Sequence, residues 1–239
     1  MPRLAALPRP AARSPIVLLG WTALALAGVL AWDASALDLA AARWFGDQHG
    51  FPLRDHWLLS AVLHEGGRAA AWLLALGLCV GAWWPVGPLR RIGMARRLQL
   101  AGSTLAAVLA VSLMKGFSLT SCPWELDVFG RTAHLVSHWA WLHGPDGGSG
   151  HCFPAGHASA GFAFLGGFFA FRTEAPHIAR RWLAAALAAG FVFGAAQQAR
   201  GAHFMSHTLW TAWLCWSVAL AIDLAVRRRM PAPLAREST

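Results

Sequence analysis

The feature that most constrains this chain is the alternation of long apolar runs with short clusters of arginine. A bilayer core about 30 Å thick takes about 20 helical residues to cross, and a chain within it must satisfy its own backbone hydrogen bonds. Pro15 to Trp32 is one such run, preceded by Arg3, Arg9 and Arg13 without any acid. Later runs are bounded by Arg90, Arg91, Arg96 and Arg97, by Arg172, Arg180 and Arg181, and by Arg227-Arg228-Arg229. Arginine gathers on the cytoplasmic side of spanning helices. Six spans, at about 16–32, 57–84, 98–119, 153–171, 182–199 and 204–226, put every cluster on that side with both termini inside.

The expectation is therefore an all-α polytopic membrane protein in a bacterial-type inner membrane. It has a cytoplasmic N-terminus (1–15), a six-helix membrane domain (16–229) and a disordered tail (230–239). At 56% hydrophobic and 13% charged residues, with mean hydropathy +0.45, the chain is too apolar for an average soluble domain. Its net charge of +9 then reports topology, and no nucleic-acid partner is implied. Ala34-Ser35-Ala36 resembles a signal-cleavage site, but the preceding run is long for a signal peptide and reads as a retained anchor.

The connections carry the polar chemistry. Residues 33–56 hold Asp33, Asp38, Asp47 and Asp55 beside Leu37, Leu39, Trp44 and Phe45, an outer connection with a short interfacial helix. His64, Glu65 and Arg68 interrupt the second span. His64 and Arg68 share a helical face, which suits either a local ion pair or a contribution to a site. The 120–151 connection contains Pro123, Gly130, Pro145 and Gly147-Gly148, so it is a loop with a short amphipathic piece expected at His134 to Leu142.

Three polar segments fall on the outer side: Lys115 to Pro123, Cys152 to His157, and Arg200 to His207. Lys115 is the single lysine among 20 basic residues. Ionisable groups at membrane depth are expensive, and their convergence marks a functional site. A lysine and an arginine can hold phosphate oxygens, while two histidines divide attack on phosphorus from protonation of the leaving oxygen. This chemistry needs neither metal nor other cofactor.

These segments resemble the three-part signature of the type 2 phosphatidic acid phosphatase superfamily, which includes vanadium haloperoxidases. The family pattern is K-x6-R-P, then P-S-G-H, then S-R-x5-H-x3-D. Here the parts read Lys115 to Cys122-Pro123, Pro154-Ala155-Gly156-His157, and Gln197 to His203 and His207. The resemblance implies that Lys115 and Gly156 bind phosphate, that His157 is the general acid and that His203 is the nucleophile forming a phosphohistidine. Arg200 lies three residues before His203 and would be a functional substitute for the family's arginine. Cys122, Ala155, Gln197 and His207 stand where the family carries arginine, serine, arginine and aspartate. His207 is thus either an orienting residue or, with one residue inserted, the nucleophile itself. Arg131, Arg200, Glu125 and Asp127 are candidates to replace the missing groups.

Cys122 and Cys152 both lie outside the membrane in this topology, so a disulfide tying the first segment to the second is expected. The implied activity is hydrolysis of a lipid phosphate or diphosphate on the periplasmic face. A lipid phosphotransferase is the near variant. A membrane lipid-binding, anion-binding or transport protein without turnover is the alternative from another class. Membrane lipids and a lipid phosphate substrate are the expected partners, with no obligate protein partner.

Overall fold

The computed structural model describes residues 14–139 and 144–229. The expected cytoplasmic N-terminus and disordered tail therefore lie almost wholly outside the described residues. Among those described, the chain is helical, with only isolated bridges at Asp47–Gly50 and Leu126–Ala133 in place of a sheet.

Helix α1 (Pro15–Asp33) opens on Ser14, whose hydroxyl accepts the Ile16 N–H, and on a proline at its first position. Both are favoured where a helix has unsatisfied N–H groups. The short α2 (Leu37–Ala42) is the helix expected in the outer connection. A π-wound segment, Leu58–Gly66, runs without a break into α3 (Gly67–Gly81). Helix α4 (Met94–Gly116) follows, then the long outer loop. Next come α5 (Ser159–Phe162), one 3₁₀ turn and α6 (Gly166–Phe171), with α7 (Pro176–Ala199) and α8 (Met205–Arg229) completing the bundle.

Four of these helices, α1, α4, α7 and α8, are long and apolar enough to cross a membrane. The other two expected spans take different forms. The first is helical from Leu58 to Gly81 but changes its winding at Gly66-Gly67. The second begins at Ser159 and not at Phe153, because 153–158 forms an irregular stretch around a cis Phe153–Pro154 bond. What remains, Ser159–Phe171, is about 20 Å long at 1.5 Å per residue, short of a bilayer core. The amphipathic piece expected at His134 to Leu142 is not helical over His134–Trp139, and its remainder falls outside the described residues.

Helix α8 is the hub, packed against α1, α4, α6 and α7. Small residues set the closest approaches. A side chain at Gly161 of α5 would strike the Gly190 backbone of α7, and one at Gly166 would strike Ser103 of α4. Such contacts replace the hydrophobic drive that apolar helices lack in lipid. The main core joins Leu100, Ala107 and Val111 of α4 to Phe162, Leu165 and Phe171. A second core of Phe51, Leu126, Phe129 and Phe204 lies beneath the outer loop and fixes it to the start of α8. At the other end of the bundle, buried Asp223 of α8 accepts from Arg96 and Gln99 of α4, from Arg172 and from Arg227.

Candidate active site

The three polar segments meet at one end of the bundle, and the loop holds them there with its own backbone. Residues 118–122 lie alongside 150–153. His151 N donates to Ser118 O at 2.8 Å, Cys152 N to Thr120 O at 3.0 Å and Phe153 N to Ser118 Oγ at 3.2 Å. The Cys122–Cys152 disulfide expected from sequence is present. Asp146 accepts from Ser121 N and Ser121 Oγ, both at 2.6 Å, which closes the loop from behind.

The third segment is the turn between α7 and α8. Gly201 takes the left-handed backbone conformation (φ 75°) with the Phe51 ring where a Cβ would go, so this turn requires glycine. Its carbonyl accepts Trp124 N at 2.9 Å, which joins the turn to the outer loop. Asp38 of α2 accepts Ser206 N at 2.9 Å and so satisfies an orphan donor in the first turn of α8. Helix α2 thereby helps to fix both His203 and His207.

His203 is 3% exposed, its Nδ1 lying 3.4 Å from His207 Nδ1 and 3.5 Å from the Cys152 sulfur. With Nδ1 engaged, Nε2 is the nitrogen left for chemistry. Burial first, and then the charge of Lys115, holds the His203 pKa well below 6.5, so its imidazole is neutral at pH 7. His207 lies beside the His203 ring at Nδ1. It is 2% exposed and enclosed by the rings of His138, Phe153 and Phe204.

His157 sits in the turn before α5, its ring stacked on His64 with centroids 3.7 Å apart. Its Nε2 is buried with no hydrogen-bond partner among the described residues. A cavity of about 370 Å³ joins His157 to Lys115, Gly156, Ser159, Ser112, Thr104 and Arg68. Gly156 lies against Lys115, with space beside it for no more than ordinary contact. Ala71, Ala160 and Phe164 also line a second, apolar cavity of about 620 Å³ that follows α7 from Phe193 to Ile178.

The site residues named from sequence thus divide into two groups. Lys115, Gly156 and His157 share one cavity. His203 and His207 are packed together behind the disulfide and are not part of that cavity's lining, although Lys115 and His157 both act electrostatically on His203. Arg200 is not among the cavity's lining residues, although its charge acts on His157 and on His64. Its Nε donates to Arg54 O at 2.7 Å, its Nη1 to Gln197 Oε1 at 3.3 Å, and its guanidinium lies over Trp124.

Of the candidate replacements, Glu125 accepts Cys122 N at 3.0 Å and Asp127 pairs with His134, so both serve the loop. Arg131 is exposed on a turn of that loop. Arg68 is the additional cation. It lines the cavity from α3 and pairs with Glu65, which also pairs with His64 at 2.8 Å. His138 was not visible from sequence as a site residue. It donates to Asp33 at 3.2 Å and meets His207 edge-on, but the amphipathic pattern expected around it did not say which residues it would meet.

One further grouping has metal-ligating atoms: Cys122, Cys152 and His203 within 4.8 Å of one another. Bridged sulfurs are not thiolates, so this set could hold a metal only after reduction.

A family model described as the PAP2 superfamily matches residues 96–231, which include all three polar segments. No curated protein and no solved structure matches the chain.

Proposed function

Since the chain belongs to the PAP2 superfamily, we propose that it is a membrane phosphatase acting on a lipid phosphate or diphosphate through a phosphohistidine, with its site facing the periplasm. The observation that carries this reading is the cavity lined by Lys115, Arg68 and His157, whose buried Nε2 has no partner among the described residues. A phosphate ester supplies what that cavity lacks: oxygens for two cations and an acceptor for the imidazole.

Catalysis follows from the residue types. Lys115 and Arg68 neutralise the non-bridging oxygens, and His203 Nε2 attacks phosphorus as the P–O bond to the lipid breaks. His157 gives a proton to the leaving oxygen, then takes one from the water that cleaves the P–N bond. His207 holds the His203 ring at Nδ1, the work a carboxylate does in the family pattern. Attack requires the phosphoryl group to reach His203, which is not among the cavity's lining residues. The neighbouring apolar cavity, which shares Ala71, Ala160 and Phe164 with the first as lining residues, supports a substrate with a hydrocarbon chain.

The test is phosphate release from a panel of lipid phosphates by purified protein, with and without vanadate. His203→Ala and His157→Ala are each expected to lower kcat by about 10²–10⁴. Arg68→Ala is expected mainly to raise KM. Wild-type turnover in both histidine variants would remove these residues from the chemistry, whereas no phosphate release by the wild type from any lipid of the panel would favour a lipid-binding role.

A further inference from the structure

Helices α4 and α8 run antiparallel, so each carries a polar cluster at both ends of the bundle. Lys115 lies 19 residues along α4 from Arg96, and His207 lies 16 residues along α8 from Asp223. At 1.5 Å per residue these separations are about 28 and 24 Å, close to the thickness of a bilayer core. The Asp223 cluster therefore belongs to the opposite face of the membrane from His203.

Its charges do not balance. Arg96, Arg172 and Arg227 all donate to Asp223, which is 0% exposed. Exposed Glu174 acts on Arg96 from outside the cluster and still leaves one positive charge in excess. Its hydrogen bonds do not balance either. Asp223 Oδ1 already accepts from Arg96 and Gln99, and Oδ2 from Arg172 and Arg227. Arg96 Nε, Arg172 Nε and Nη1, and Arg227 Nη2 remain buried without partners among the described residues. Arg96 and Arg172 are 5% and 7% exposed, so water at the surface does not serve them. Buried charged donors in this condition are costly until an acceptor of opposite charge arrives.

We propose that this cluster is a binding site for a phosphate-bearing anion, which completes the coordination that Asp223 begins. A phosphate group offers several anionic oxygens, matching the planar forks of two or three guanidinium groups. Arg227 is the cluster member nearest to solvent, its side chain 26% exposed, and it leads to exposed Arg228 and Arg229. The anion enters on that side, where an anionic phospholipid headgroup in the adjoining leaflet meets the end of α8. A polybasic segment at the end of a membrane helix attracts such headgroups electrostatically.

The experiment titrates detergent-purified full-length protein with short-chain phosphatidylglycerol, short-chain phosphatidylcholine and inorganic phosphate, following melting temperature and retained ligand by native mass spectrometry. Wild type, Lys115→Ala, Arg227→Gln and Arg172→Lys are compared. Phosphatidylglycerol is expected to give a saturable rise in melting temperature that survives Lys115→Ala. Its midpoint should weaken at least tenfold in Arg227→Gln and in Arg172→Lys, which keeps the charge but loses the fork. Phosphatidylcholine should have no effect. The same Arg227-dependent response to inorganic phosphate but not to phosphatidylglycerol would support the site with a free anion as its occupant. A response lost in Lys115→Ala and kept in Arg227→Gln would overturn the proposal, as would no saturable response. The first of these would place the headgroup at the Lys115 cavity and so support the phosphatase reading, while the second leaves that reading untouched, since it stands on residues at the other end and is tested by phosphate release.

Discussion

His203 and His138 show how burial sets the protonation of this protein. Burial pushes both below the usual histidine pKa, and at His138 the neighbouring Asp33 carboxylate works in the opposite direction. In the unfolded chain each takes up a proton near pH 6.5, whereas in the folded protein each stays neutral to lower pH. Below about pH 6.5 the unfolded state thus binds more protons, and stability falls as pH falls, by up to about 1.4 kcal/mol per pH unit for each such group. Above that pH these histidines add no slope. The melting temperature is expected to drop between pH 7.5 and 5.5, and less steeply in His138→Gln; an unchanged slope in that variant would remove His138 from the effect. At this scale the motif histidines were legible in the sequence. Arg68 was only half legible, because sharing a face with His64 does not say what that face meets. His138 and the Asp223 cluster depend on chain segments about 70 and 130 residues away in sequence, as the partners His207 and Arg96 show, and no local pattern reports them.

Among the elements, the arginine clusters gave the apolar segments and their order, and α1, α4, α7 and α8 follow that reading closely. The exceptions surround the site. Gly66-Gly67 marks where π winding becomes α, a form of local irregularity common near functional sites. Hydropathy could not register it, since the average over a run of residues does not depend on how the run is wound. The apolar run from Phe153 likewise hid an irregular stretch, because Phe153 and Ala155 are as buried outside a helix as they would be within one. Gly161 is the tightest joint between α5 and α7. Gly161→Val should force these helices apart and destabilise the protein by about 1–3 kcal/mol, measured by thermal unfolding in detergent. The disulfide closes a loop of 30 residues, so Cys122→Ser with Cys152→Ser should cost roughly 3–4 kcal/mol on the chain-entropy account. It should also lower activity, because Cys152 backs the His203 ring.

For the whole molecule, the two neighbouring cavities give an expectation about substrate size. Ala160 lines both the polar cavity and the apolar one. Ala160→Trp should raise KM for a long-chain lipid phosphate while leaving a short, soluble phosphate ester nearly unaffected; an equal effect on both would disconnect the apolar cavity from substrate. The bridge between Cys122 and Cys152 also offers a test of orientation. A thiol pair closes in an oxidising compartment and stays open in a reducing one, so a bridge found in protein taken from cells would place the 122–152 loop across the membrane. Cys79 and Cys215, unbridged within the helical bundle, serve as an internal count. Protein taken from cells under acid quench and alkylated after denaturation should carry two labels, rising to four after reduction, if the His203 end faces outward. Four labels before reduction would mean that the bundle sits the other way up.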